Sequence, residues 1–304
     1  MLGTMSVSPE SSLSIAFLGT GVMGRSMAGH LLKAGHSVRV HNRRVAKAAP
    51  LLEQGAIWCD TVGEAVQGVD AVVSMLGFPE DVESVYFGAG GVLEKVRPAT
   101  LLVDMTTSRP ALAQRIAEAA AGRGVLSLDA PVSGGDIGAR EARLVIMAGG
   151  TREAFERALP LLSLMGKTIR HLGAAGAGQH CKIANQVAVA VGMVAWCESL
   201  AYAQAAGLEA GGVQETIRDG AAGSWALTHL APRALSGDFA PGFYIKHMVK
   251  DLRIAAESAE FFGTPCPGLV TARALFERAA SLGWEECGTQ ALFRLYTGRL
   301  GEQA

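Results

Sequence analysis

The sequence predicts an α/β protein, with a doubly wound N-terminal sheet followed by an all-α C-terminal domain, the two joined through a long interdomain helix. Three observations carry that prediction. Up to about residue 172, short β-branched runs alternate with helical stretches, the pattern of a parallel sheet covered by helices on both faces. After Gly173 every segment has helical periodicity and no strand stands out. Between them lies Gly173-Ala174-Ala175-Gly176-Ala177-Gly178, which reads as a hinge. A chain of 304 residues, 49% of them apolar, is long enough to fill two cores.

The elements follow in order. Residues 1–12 are Ser-rich and lack the basic and apolar regions of a secretory signal, so they are expected to form a disordered extension. The first domain, 13–172, should hold strands at 15–18, 38–41, 71–75, 101–104, 127–130, 144–148 and 168–171. Gly35 and Gly122 fall just past helical runs, where a left-handed cap is expected. Thr61 with Glu64 makes a capping box, and Ser108 before Arg109-Pro110 marks another helix start. The second domain, 173–304, should hold helices at 179–206, 211–219, 224–235, 245–262, 268–282 and 287–295.

Composition narrows the partners. A net charge of −1 with no strongly basic block leaves no electrostatic footprint for nucleic acid or an anionic membrane, so a small molecule is the expected partner. Five cysteines without C-x-x-C spacing argue against a disulfide framework and a zinc site, and fit reduced cytosol. The apolar stretch 179–206 carries Glu198, Gln204 and many small residues, which suits packing against protein better than lipid. Its apolar content exceeds what one small domain needs and predicts a subunit interface, in a dimer or a tetramer.

The first strand feeds Gly19-Thr20-Gly21-Val22-Met23-Gly24, with a helix directly after. Gly19 permits the tight turn, Gly21 lets a pyrophosphate approach the backbone, and Gly24 allows the helix to pack on the strand. The helix N-terminus supplies amide donors, and Val22 and Met23 sit among them. This is a Rossmann-type dinucleotide signature. At the end of the second strand an NAD-selective site places a carboxylate, whereas this chain has His41-Asn42-Arg43-Arg44. Two guanidiniums suit a 2′-phosphate, so NADP(H) is the preferred cofactor and NAD(H) the second. The plainer alternative is that the arginines solvate a loop.

Lys182 interrupts the most apolar helical stretch of the chain. A lone ammonium there must be paired or used, unless it snorkels to solvent from the helix start. Asn185 and Gln186 lie three and four residues on, on the same helical face. An ammonium can donate to an oxygen that gains charge as hydride arrives, and can release a proton once burial lowers its pKa. Asn185 could hold a substrate or fix the lysine. In the first domain, Asp129-Ala130-Pro131-Val132-Ser133-Gly134-Gly135 leaves a strand, and Ser133 with the bare backbone of Gly134 and Gly135 would suit a carboxylate.

Taken together, these motifs resemble the β-hydroxyacid dehydrogenase family, which includes 3-hydroxyisobutyrate dehydrogenase and the tartronate, glyoxylate and succinic semialdehyde reductases. The match covers residues 19–24, 129–135, 178–185 and Lys250-Asp251-Leu252, in that order. The resemblance implies interconversion of a short β- or γ-hydroxy acid and its semialdehyde, with Lys182 catalytic and Asn185 its partner or the substrate's. It also implies that Ser133, Gly134 and Gly135 contact the substrate carboxylate, that Lys250 lines the site near the cofactor, and that Thr106 contacts the nicotinamide half. Ser26, where the family often has proline, and Gln186, where it often has a second asparagine, depart from the pattern without removing a catalytic group. Residues 243–247 and 223–225 could shape the pocket or only pack helices. The runner-up readings are an imine reductase, which usually lacks the lysine, and a non-catalytic dinucleotide-binding module. A 6-phosphogluconate dehydrogenase would be expected to run much longer. G-x-S-x-G and H-E-x-x-H are both missing, so hydrolase and metalloprotease readings find no support.

Overall fold

A computed structural model describes residues 12–298, so the expected N-terminal extension falls, except for Ser12, outside the described residues. The chain forms two compact units that divide after Gln179.

The first unit is built on nine strands: β1 Ser14–Leu18, β2 Ser37–His41, β3 Ile57–Trp58, β4 Ala71–Ser74, β5 Leu101–Asp104, β6 Leu126–Asp129, β7 Val132–Ser133, β8 Leu144–Gly150 and β9 Gly166–His171. Its helices are α1 Val22–Lys33, α2 Ala49–Leu52, α3 Val62–Val66, α4 Pro79–Phe87, α5 Val92–Lys95, α6 Pro110–Ala121, α7 Gly135–Arg140 and α8 Arg152–Ser163. The sheet order is β3-β2-β1-β4-β5-β6-β8-β7, with β9 against β8. Strands β3 through β6 in that order pair in parallel. The connection reverses direction across β1 and β4, the place where a doubly wound sheet opens a crevice at its strand ends.

Two features depart from the strands expected of a parallel sheet. β8 runs antiparallel to β6 and β7 while pairing parallel with β9. β3 and β7 are only two residues long, too short to produce an alternation that sequence patterning can detect. The central strands β1, β4 and β5 are buried on both faces. Ile15 and Phe17 of β1 belong to one apolar cluster and Ala16 and Leu18 to another, which is why this strand reads as a continuous apolar run.

Local signals hold in part. Gly35 takes the left-handed conformation at φ +89°, but Gly122 is right-handed at φ −60° and Gly124 turns the chain instead, at φ +66°. The helix ends at Ala121, and a short turn over residues 122–124 carries the chain on before it reverses. Thr61 accepts from the Glu64 backbone N–H at 3.1 Å, while the Glu64 carboxylate reaches back to the N–H of Asp60, not of Thr61. Arg109, not Ser108, is the N-cap of α6, with Pro110 in its first turn.

Helix α9, Ala177–Ala205, begins in the first unit and continues into the second, which also holds α10 Ala210–Ile217, α11 Trp225–His229, α12 Ala231–Leu235, α13 Ile245–Phe261 and α14 Pro267–Ala279. The single helix expected over 224–235 is two, because Pro232 at the start of α12 has no N–H to continue the ladder. The final helical segment, Thr289–Leu295, is a 3₁₀ helix. Met193, Trp196, Cys197 and Leu200 of α9 pack with Met248 and Leu252 of α13, Phe276 of α14 and Leu292 into one apolar core. Each such large side chain, fully buried, stabilises the fold by roughly 1.5–3 kcal/mol. By length and composition α9 is apolar enough to cross a membrane; here it forms the spine of this core.

Candidate functional site

The glycine loop meets the requirements of a dinucleotide cradle. Gly19 sits at φ +97°, and a side chain there would stand 2.3 Å from the Met75 carbonyl at the end of β4. A side chain at Gly24 would fall 2.0 Å from the Gly19 carbonyl, so glycine lets α1 press onto β1. At Gly21 a Cβ would meet nothing within 4 Å: the loop is open on the side where a pyrophosphate would lie. No side chain caps α1 and no acid stands in its first turn, which leaves its N–H groups to an anion. Val22 is exposed, Met23 packs on the core, and the buried Thr20 hydroxyl has no partner among the described residues. The residues present therefore fit the cofactor that the motif implies.

The end of β2 holds what sequence patterning missed. Arg43 is largely exposed and pairs with Asp81 of α4 at 3.2 Å, while Asn42 turns its amide to the Arg44 carbonyl at 3.3 Å. The second oxygen of Asp81 is enclosed without a partner among the described residues. A carboxylate thus stands against Arg43, and it comes from α4 and not from β2. Nothing local to residues 41–44 signals it.

At the ends of β4, β5 and β6 a buried network forms. Asp104 accepts from the Ser74 hydroxyl at 2.8 Å and from the Thr106 N–H at 3.1 Å, and Thr106 accepts from the Leu76 N–H at 2.9 Å. Gln179, fully buried, accepts from the Ser108 N–H and donates to the Thr106 carbonyl. Asp129 accepts from the N–H groups of Gly176 at 2.7 Å and Gln179 at 2.9 Å, pinning the first turn of α9. Burial pushes its carboxyl up to about 7, against the two N–H donors that favour its charged form. Beyond it, Ser133 closes β7, and Gly134 and Gly135 follow at φ +124° and +62°, backbone that side chains rarely adopt. Gln179 and Asp129 carry roles that sequence patterning left unassigned; a glutamine or aspartate beside a glycine-rich turn is the only local trace.

The second unit gathers a different cluster. Lys182 is 6% exposed and its Nζ has no hydrogen bond or ion pair among the described residues. Burial pulls its pKa down to about 8; Asp251 opposes that shift and Lys250 adds to it. Asp251, buried on α13, pairs with Lys250 at 2.8 Å and accepts from Gln186 at 2.5 Å. Gln186 in turn accepts from the Asn185 amide at 2.8 Å. His247, one turn before Lys250, is pulled down to about 4 by burial and by the Lys250 charge, so its imidazole is neutral at physiological pH. Trp225 is half exposed and stacks on His229 at 4.7 Å. Packing of α9 against α13 thus collects Lys182, Asn185, Gln186, Lys250 and Asp251.

Comparison with known proteins agrees with both halves. Residues 14–173 match the family described as the NAD binding domain of 6-phosphogluconate dehydrogenase, and 176–296 match the NAD-binding family of NADP-dependent 3-hydroxyisobutyrate dehydrogenase. An uncharacterised oxidoreductase of Bacillus subtilis, YkwC, is 51% identical over 93% of this chain and 98% of its own length. The 3-hydroxyisobutyrate dehydrogenase of Pseudomonas aeruginosa is 39% identical, over 94% of this chain and 99% of its own. The solved 3-hydroxyisobutyrate dehydrogenase of Mycobacterium tuberculosis with L-serine superposes with a TM-score of 0.84 at 34% identity, covering 93% of this chain and 99% of that one.

Proposed function

The chain belongs to the β-hydroxyacid dehydrogenase family, an NAD(P)-dependent oxidoreductase lineage, and from that premise we propose that it interconverts a short β- or γ-hydroxy acid and its semialdehyde. The single observation that carries the reading is Lys182, an ammonium enclosed in an apolar helix with a pKa drawn to about 8 and no hydrogen bond or ion pair of its own among the described residues. Such a group donates a hydrogen bond to a carbonyl oxygen as negative charge builds, then gives up its proton; in the oxidative direction the neutral amine takes the proton from the hydroxyl. When bound, the nicotinamide dinucleotide supplies or accepts the hydride. Asn185 assists at the same helical face. Ser133, Gly134 and Gly135 hold the substrate carboxylate, whose charge suits a hydroxyl beside bare backbone N–H groups.

Gly19, Gly21, Val22, Met23 and Gly24 hold the pyrophosphate, and Thr106 and Lys250 border the nicotinamide half. Asn42, Arg43 and Arg44 favour NADP(H), and the Asp81 carboxylate beside Arg43 keeps NAD(H) in use. The substrate class is supported by the L-serine of the solved relative, itself a β-hydroxy acid. The protein works in the cytosol as a homodimer or homotetramer.

The test is a panel assay. NADPH and NADH consumption with three- to five-carbon semialdehydes, and the reverse reaction with the corresponding hydroxy acids, should give turnover with at least one pair. Silence throughout, in a folded protein that binds dinucleotide, would replace the enzyme reading with a non-catalytic binding module.

A further inference from the structure

We propose that Gln179 is a positioning residue for the cofactor, whose side-chain amide sets the turn at residues 106–108 that receives the nicotinamide half of the dinucleotide. The proposal rests on the reading that Thr106 borders that half. It starts from where the sheet stops supplying partners. Among the described residues, the last backbone bonds of β5 to its neighbours run from the Met105 N–H to the Ser74 carbonyl at 2.8 Å and from the Ala130 N–H to the Asp104 carbonyl at 2.7 Å. Thr106 and Ser108, in the turn beyond, are each 1% exposed, so their peptide groups need partners from outside the sheet. Gln179 supplies two of them. Its Oε1 accepts from the Ser108 N–H at 2.9 Å and its Nε2 donates to the Thr106 carbonyl at 2.8 Å. Those partners fix which way the amide faces, because an N–H can only donate and a carbonyl can only accept. One side chain thus stands in for the peptide of a neighbouring strand.

The glutamine is itself held from the other side. Its own N–H donates to Asp129 at 2.9 Å, and the glycine before it lets the first turn of α9 lie against β6 and β8. A side chain at Gly178 would stand 2.4 Å from the Met147 carbonyl and 2.6 Å from that of Asp129. Gln179 is fully buried, so neither its amide nor the peptide groups it serves would find water in exchange for a lost bond. Length matters as well as polarity. Asparagine, one methylene shorter, draws the amide back from both partners, and methionine fills the space with nothing to donate. Either change frees the turn on the nicotinamide side, whereas the glycine loop that serves the pyrophosphate is shaped by its own contacts with Met75 and Gly19 and keeps its form.

Calorimetry of the full chain tests this by comparing a whole dinucleotide with its adenosine fragment, NADP+ with 2′,5′-ADP or NAD+ with ADP, for whichever dinucleotide the parent binds more tightly. Both fragments lack the nicotinamide and its ribose. Gln179→Met should weaken the dinucleotide about tenfold, the loss of two hydrogen bonds that hold the turn, while the fragment stays within about twofold. Gln179→Asn should do the same, and it decides should Gln179→Met fail to fold. A role confined to stability would weaken both ligands together, so equal losses overturn the proposal, as does a dinucleotide affinity that stays at the parent's. Thr106→Val separates the two claims. If it weakens the dinucleotide alone while Gln179→Met changes nothing, the clamp falls and the reading of Thr106 stands. If neither variant distinguishes dinucleotide from fragment, the reading of Thr106 falls and takes this proposal with it.

Discussion

The glycine loop of the first unit and the lysine cluster of the second are built from opposite materials. The loop works with backbone: Gly19 and Gly24 are required because side chains there would strike carbonyls at 2.3 and 2.0 Å, and no side chain caps the N–H groups at the start of α1. The cluster works with side chains: Lys182, Asn185 and Gln186 from α9 meet Lys250 and Asp251 from α13, and their properties come from burial and from one another. A backbone site depends on shape and tolerates no added atom. A side-chain site depends on charge and tolerates no lost partner.

Substitutions should bring out that contrast. The largest effect belongs to Lys182→Ala, expected to lower turnover at least about a hundredfold while dinucleotide affinity stays within twofold by calorimetry. Next comes Gly24→Ala, which adds one carbon against the Gly19 carbonyl and should weaken dinucleotide binding at least about tenfold; a Kd near that of the parent would show that the loop yields more readily than its contacts suggest. The third expectation is a pH effect. Because burial lowers the Lys182 pKa to about 8, reduction, which needs the ammonium, should fall as pH rises through 8, and oxidation, which needs the neutral amine, should rise over the same range. Identical profiles in the two directions would assign the limb to another group.

The smallest effect concerns the β2 end, where an exposed ion pair is worth little. Asp81→Asn releases Arg43 and should move the NADP-to-NAD affinity ratio about two- to fivefold toward NADP, and Arg43→Ala should move it the other way. A ratio indifferent to both would mean that the pair does not read the ribose.

Much of the fold was legible because its signals are local. The strand runs and the glycine loop each state their requirement within a few residues. The sequence also pointed to Lys182 and Asn185, since a cation in an apolar helix is conspicuous without any partner in view. The missed strands β3 and β7 are too short to show a period, and the antiparallel course of β8 depends on which neighbour it meets. Gly122 misled because α6 does end beside it, at Ala121, but the left-handed residue that reverses the chain falls two positions later, at Gly124.

By itself the sequence determined where a dinucleotide turn could form and where a buried amine would stand, because backbone conformation and helical periodicity are properties of neighbouring residues. Tertiary structure alone decided that Asp81 faces Arg43 from 38 residues away, that Asp129 holds Gly176 from 47, and that Gln186 meets Asp251 across 65. Such pairings are set by how elements pack, and that packing decides which charged and polar groups lose water and which find a partner in its place.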